Sequence, residues 1–307
     1  MMMQPLSPWH QSLFAQWQTF INTKRIPQAL LICGAQGLGK SQLVKAMLAV
    51  LWCEAAQALG ACGVCRHCYW LAQDAHPDCT WLKPEGLSQT IKIDVIRQSS
   101  EWLQLSPLTT QHKVLVIQSA ENLNLAASNA LLKTLEEPPS SGLIILISEM
   151  IEQLLPTIRS RCYKLTLPLP DETFNRTWLQ QQTKNEMPRF LPQGLGPYAL
   201  LAELSPAQTE IREKIILIME QLYTKKLHFV LAAEKLKEIN AEEILRYSYF
   251  FMQNKIAECH ARHDLPGIKP WLEFERCWLN VKRSLLQNAN LNWPLQLELL
   301  LAKGVAH

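Results

Sequence analysis

Along the first half of the chain apolar residues come in short unbroken runs, and along the second half they recur at helical intervals. The run at 28–33, Gln-Ala-Leu-Leu-Ile-Cys, is bounded by Pro27 and Gly34, the mark of a buried strand. Runs at 113–117 and 143–147 are rich in β-branched residues and continuous rather than alternating. Strands of that kind belong to a parallel sheet covered by helices on both faces. Helix-favouring sequence occupies 40–51, and a helix carrying Leu125, Leu131, Leu132 and Leu135 separates the later two runs. Pro138 and Pro139 stop it, because proline cannot donate the next helical hydrogen bond. Residues 1–166 therefore read as an α/β domain built on a parallel sheet.

Strand signals vanish after Leu-Pro-Leu-Pro at 167–170. Residues 167–207 hold short helical stretches interrupted by Pro188, Pro192, Gly194, Gly196 and Pro197. From 208 to 307 the apolar positions Ile211, Ile215, Met219 and Leu222, then Leu227 and Leu231, later Leu272, Val281 and Leu285, follow helical spacing. The second half is expected to be all-helical: a small helical segment, then a larger helical domain. Neither a 20–50-residue repeat nor a low-complexity tract interrupts it.

Composition narrows the class. Hydrophobic residues at 48% against 19% charged supply enough apolar surface for real cores and exclude a disordered chain. Thirty basic against 27 acidic residues give a net charge of +3, which excludes a histone-like polycation. No wholly apolar run, 143–147 included, comes near the roughly 18 residues a membrane span needs. The N-terminus has no basic stretch followed by an apolar one, as a secretory signal would. The expected location is the cytoplasm, away from membranes. Ten tryptophans are spread along the chain without interleaving with basic residues as a single-strand stacking platform would, so core packing is expected for nearly all.

The nine cysteines are unevenly placed. Cys53, Cys62, Cys65 and Cys68 cluster, while Cys33, Cys79, Cys162, Cys259 and Cys277 stand singly. An odd total with one tight group reads as a metal site in a reducing compartment rather than a disulfide framework. Four thiolates complete a tetrahedral Zn²⁺ and leave no open position, which makes the site structural. An iron–sulfur cluster and unliganded thiols are the competing readings. The proline that follows ferredoxin-type cysteine runs is missing here.

Gly34-Ala-Gln-Gly-Leu-Gly-Lys-Ser41 matches the phosphate-loop pattern G-x-x-x-x-G-K-S in full. Gly34, Gly37 and Gly39 let backbone N–H groups approach a phosphate, Lys40 reaches its outer oxygens and Ser41 holds Mg²⁺, so ATP or ADP is the expected ligand class. Hydrolysis also needs an acidic residue at the end of a neighbouring strand. The run at 113–117 is followed instead by Gln118-Ser119-Ala120, and Glu121 comes two residues late. Its position suits a carboxylate at a helix start better than a catalytic acid. The loop is suited to bind nucleotide without the machinery to hydrolyse it. Arg159 and Arg161, in Thr-Ile-Arg-Ser-Arg-Cys at 157–162, sit at the border of the α/β domain, where a solvated surface role is at least as expected as any other.

Together these features resemble one family. The phosphate loop, the four-cysteine insertion after its helix, Leu-Leu-Lys-Thr-Leu-Glu-Glu-Pro-Pro at 131–139 and Ser160-Arg161-Cys162 closely resemble the bacterial clamp-loader subunits. These are AAA+ proteins that open the sliding clamp of the replicative polymerase. The likeness is dense over the first 165 residues and looser beyond, where Asn-Ala-Asn-Leu at 288–291 and Leu-Glu-Leu-Leu-Leu at 297–301 resemble the C-terminal collar signature. The resemblance implies an AAA+ module over 1–166, a helical lid over 167–207 and a helical collar over 208–307. It also implies partners: gamma/tau motor subunits and a delta subunit, with the sliding clamp and primed DNA reached through the assembly. Motors carry an acidic pair where Gln118-Ser119 stands, and a nucleotide-sensing lid arginine where 194–200 has Pro197 and none. Both departures imply a non-hydrolysing stator, while the intact Lys40 leaves nucleotide binding open. Arg161 then matches the arginine finger that serves a neighbour's site. The competing readings are an active clamp-loader ATPase and a stand-alone zinc-dependent nucleic-acid-binding protein.

Overall fold

The computed structural model describes residues 6–56, 60–84, 90–183, 194–287 and 292–304. Strands β1 (Ala29–Cys33), β2 (Cys79–Leu82), β3 (Lys113–Ile117), β4 (Gly142–Ser148) and β5 (Tyr163–Thr166) form one sheet in the order β2-β3-β4-β1-β5. Every pairing is parallel. In β1, β3 and β4 every residue is buried. Their continuity follows from the pleat, since successive side chains leave a strand on opposite faces. Leu30, Ile32, Val114, Val116, Leu143, Ile145 and Ile147 join one core. Leu31, Leu115, Ile117, Ile144 and Leu146 join the core on the other side.

Helices cover both faces. The first core takes Trp17 from α1 (Gln11–Asn22) and Leu43, Met47 and Leu48 from α2 (Lys40–Trp52). After the short α3 (Arg66–Ala72), helices α4 (Ile93–Gln104) and α5 (Leu125–Glu136) bring Ile96, Leu103, Leu131 and Leu135 to the second core. Helix α5 starts cleanly because Asn124 Oδ1 accepts from the Ala127 N–H at 2.7 Å. The short α6 (Pro156–Arg159) adds Ile158. The α/β expectation is met. Two strands escaped the sequence pattern: β2 is half-buried throughout, and β5, on the edge, exposes three of its four side chains.

Helix α7 (Glu172–Gln182) is capped by Asp171, whose carboxylate accepts from the Phe174 N–H at 2.7 Å. Among the described residues, contacts divide the chain into two compact units, one reaching from 6 to 183 with 194–200 and the other from 201 to 304. The chain passes from one to the other within α8 (Pro197–Glu203). The second unit holds α9 (Pro206–Tyr223), α10 (Phe229–Leu236), α11 (Ala241–Ala261), α12 (Leu265–Gln287) and α13 (Trp293–Gly304), with no strand among the described residues. Ile215, Met219, Leu222 and Val281 lie in its core with Tyr247, Phe274 and Trp278. Leu231 and Leu272 keep the helical spacing but face solvent, at 53% and 48% exposure. Spacing alone puts them on an apolar stripe, while the core takes Ala232, Ala233, Trp271 and Phe274 beside them. Pro188 and Pro192, and residues 288–291 of the collar-like signature, lie outside the described residues. Trp9, Trp17, Trp52, Trp271 and Trp278 are core residues, as expected. No described helix is long and apolar enough to cross a membrane.

Candidate functional site

Parallel pairing with β4 on one side and β5 on the other puts β1 in the interior of the sheet. Its carboxyl end runs straight into the glycine loop, and the register pairs Cys33 with Ser148 of β4. Ligands of open α/β sheets bind in this crevice, beyond the carboxyl ends of the strands. Here the crevice is a cavity of about 290 Å³ lined by Gly37, Gly39, Lys40 and Ser41 of the loop, Gln118 and Ser119 after β3, Glu149 after β4, and Tyr198.

The loop's backbone demands its glycines. Gly37 and Gly39 have φ of 77° and 73°, in the left-handed region that side chains disfavour. A Cβ on Gly37 would also collide with Ala199, and one on Gly39 would come within 2.7 Å of the Tyr198 ring. The segment around Tyr198 lies directly on the loop: Gly196 N–H donates to Gln36 O at 2.7 Å and Tyr198 N–H to Gly37 O at 3.0 Å. Tyr198 is held from behind by its hydroxyl's bond to Ser7 Oγ (2.6 Å) and by edge-on packing against Trp9 and Trp178. Trp9 and His10 both reach Leu38 O, at 2.8 and 2.6 Å, tying the N-terminal segment to the same loop. Burial, only partly offset by that Leu38 bond, lowers the His10 pKa and favours the neutral ring.

Lys40 is 5% exposed, and its ammonium donates to Gly34 O (2.9 Å), Ala35 O (2.8 Å) and Glu149 Oε1 (3.2 Å). The sequence pattern missed Glu149, which stands one residue past β4 with no motif around it. Only the parallel register brings it beside the loop of β1. Glu121 lies in a short 3-10 turn (Ala120–Asn122) rather than in α5, and its Oε1 accepts from the Glu149 N–H at 3.1 Å. Gln118 and Ser119 face the cavity in the place expected for an acidic pair.

The four clustered cysteines converge. Cys53 ends α2, Cys62 lies in the following loop, Cys65 caps α3 and Cys68 sits in its first turn. Their Sγ atoms all lie within 4.8 Å of one another, with Cys62 and Cys68 at 4.0 Å. Zinc–sulfur bonds of about 2.3 Å at tetrahedral angles put sulfurs about 3.8 Å apart, so the arrangement fits with a small contraction. Backbone N–H groups point at the sulfurs, Cys62 N to Cys53 Sγ at 3.2 Å and Cys65 N to Cys62 Sγ at 3.3 Å. The Val64 and Cys65 backbone groups pull the Cys62 thiol down to about 6, while burial pushes the Cys53 and Cys68 thiols up. His67 is not among the converging groups; its Nδ1 lies 3.0 Å from Nε2 of His76, which stacks on Trp52. Among the described residues this is the one group of at least three His, Cys, Asp or Glu side chains whose geometry could hold a metal.

Arg161 lies beyond α6 and is not drawn into the cavity. Its guanidinium contacts Thr157 O at 3.0 Å and Glu136 Oε1 at 2.5 Å. Arg159 closes α6.

An interior parallel strand feeding a complete phosphate loop, with helices on both faces, defines a P-loop α/β protein. A sequence profile described as "DNA polymerase III, delta subunit" matches residues 9–171. The DNA polymerase III subunit delta′ of Pseudomonas aeruginosa is 30% identical, covering 98% of each chain. That of Escherichia coli K12 is 36% identical over 57% of this chain and 52% of its own. The E. coli DNA polymerase III subunit tau is 31% identical over 58% of this chain and 27% of its own. The chain belongs to the DNA polymerase III subunit delta′ family.

Proposed function

We propose that this chain is the stator of a bacterial clamp loader: it assembles with gamma/tau motor subunits and a delta subunit, helps place the sliding clamp on primed DNA, works in the cytoplasm, and leaves ATP hydrolysis to the gamma/tau motors. The observation that carries this reading is Gln118-Ser119 lining the phosphate cavity at the end of β3. An amide and a hydroxyl there hold Mg²⁺ weakly and take no proton from water. Gly34, Gly37, Gly39, Lys40 and Ser41 would hold the phosphates of ATP or ADP, with Mg²⁺ on Ser41. Cys53, Cys62, Cys65 and Cys68 would hold one structural Zn²⁺, which fastens the insertion and supplies no chemistry. Arg161 would serve a neighbouring motor's site in trans, its permanently charged planar fork stabilising a γ-phosphate as charge develops. In this reading the AAA+ module ends near 166, the lid near 207, and the collar joins the subunits.

One observation favours a motor instead: Glu149 supplies the cavity with a carboxylate. That carboxylate is bonded to Lys40 rather than turned to a water. The test is reconstitution with candidate motor and delta subunits, with ATPase measured on the isolated chain and on complexes with and without it. The reading expects co-purification, clamp- and DNA-stimulated ATPase only in the complete assembly, and no turnover by the chain alone. Turnover by the isolated chain at motor rates would make it a motor.

A further inference from the structure

We propose that Glu149 competes with polyphosphate for Lys40 and so sets how tightly the cavity holds a nucleoside di- or triphosphate. This rests on the reading of the glycine loop as a nucleotide site.

A lysine ammonium has three N–H donors. In Lys40 all three have acceptors: two loop carbonyls and the Glu149 carboxylate. With Lys40 only 5% exposed, an incoming phosphate oxygen has to take the place of one of them. Gly34 O and Ala35 O are fixed by the turn that leaves β1. Glu149 hangs on rotatable side-chain bonds and is 37% exposed, so it is the partner that can leave. Its backbone stays put, because it follows a strand paired in register with β1 and its N–H is held by Glu121. The carboxylate is therefore always within reach of Lys40. Glu149 acts twice against a polyanion, by occupying its cation and by adding a like charge beside it in a partly enclosed cavity.

The opposite role, a ligand for the Mg²⁺ that accompanies nucleotide, predicts the opposite sign, and this makes the inference decidable. The experiment is calorimetric titration of the purified chain with ADP and separately with pyrophosphate, each in Mg²⁺ and in EDTA. The proteins are wild type, Glu149→Gln, Glu149→Thr and Lys40→Ala, with thermal melting to establish that each is folded. Glu149→Gln should bind both probes at least about tenfold tighter, in Mg²⁺ and in EDTA alike, as expected from removing one like charge beside a polyanion. Lys40→Ala should bind more weakly than wild type. Binding by Glu149→Gln where wild type shows none would support the inference equally. Should Glu149→Gln not fold, Glu149→Thr carries the comparison. Unchanged or weaker binding by the Glu149 variants, with wild type binding, overturns the proposal; a loss seen only in Mg²⁺ would make Glu149 a cation ligand instead. If neither wild type nor any Glu149 variant binds either probe, the nucleotide reading of the loop fails and this inference with it.

Discussion

Arg161 Nη2 lies 2.5 Å from Glu136 Oε1, and the same guanidinium donates through Nη1 to Thr157 O at 3.0 Å. Glu136 ends α5 and Arg161 follows α6, so the pair bridges two helices that pack on one face of the sheet. Both side chains are partly open to solvent, which limits the pair to about 0.2–1 kcal/mol of stability. Its larger effect is to fix the direction of a long, flexible cation.

Arg161→Ala should leave folding and assembly intact and lower clamp- and DNA-stimulated ATPase in the reconstituted complex. Trans-acting arginines can be worth about 10³–10⁵ in rate in the GTPase case, and the loss here should be smaller because other motor sites keep their own. Arg159→Ala is the control and should change ATPase less. Glu136→Gln should shift the unfolding free energy by less than about 1 kcal/mol. Wild-type ATPase and clamp loading by Arg161→Ala would return this residue to an ordinary surface role.

Elemental analysis should find one zinc per chain. Cys62→Ser or Cys68→Ser should lose it and unfold the insertion, since structural zinc contributes on the order of 10 kcal/mol of apparent binding energy at neutral pH. Iron in place of zinc, or under half an equivalent after gentle preparation, would count against the assignment.

Asp78 is fully buried and accepts from Leu108 N–H (2.6 Å), Thr109 N–H (2.8 Å) and the hydroxyls of Thr109 and Thr110 (2.8 and 3.1 Å). Burial alone would raise its pKa, but these donors, the Leu108 N–H foremost, outweigh it and hold the carboxyl below its usual value of 3.8. The unfolded chain therefore takes up this proton at higher pH than the native one. The Asp78 contribution is complete above about pH 4 and is lost as pH falls through the lowered native value. Asp78→Ala, which strands two backbone donors, should cost about 2–4 kcal/mol in urea unfolding at pH 7, with a smaller penalty at pH 3. An equal penalty at both pH values would show that the charge is not what matters.

Gly196→Ala tests the contact between the Tyr198 segment and the loop. The added Cβ would lie 2.6 Å from the Gly37 carbonyl carbon, inside any tolerable separation. The expected cost is about 1–3 kcal/mol, as for other overpacked sites. Nucleotide affinity should change with it, because the same backbone lines the cavity. A variant with wild-type melting and binding would show that the segment is not held against the loop in solution.

The parts legible in the sequence are those whose chemistry fixes the spacing. A phosphate loop needs its glycines at set intervals, and a four-thiolate site needs close cysteines, so Gly34 to Ser41 and Cys53 to Cys68 stand out in one dimension. Buried central strands also announce themselves, since both faces must be apolar. The edge strand β5, Tyr-Lys-Leu-Thr, has only Leu165 buried and reads as an ordinary polar stretch. Glu149 and Tyr198 were illegible for a different reason. Glu149 reaches the cavity through sheet register and Tyr198 through a backbone contact with Gly37, more than 100 residues away in each case. Leu231 and Leu272 show the converse, a helical rhythm correctly seen but assigned to the wrong face.

Helix α2 opens at Lys40 in the phosphate loop and closes at Trp52, one residue before the first clustered cysteine. At 1.5 Å per residue its thirteen residues make a strut about 20 Å long. Buried Leu43, Val44, Met47, Leu48 and Ala49 clamp its flank to the sheet. Trp52 at its far end is buried in the same core, so the strut is held along its whole length from the loop to the cysteines. The cysteine cluster and the phosphate loop are thus the two ends of one rigid rod, and neither can shift along its axis without the other.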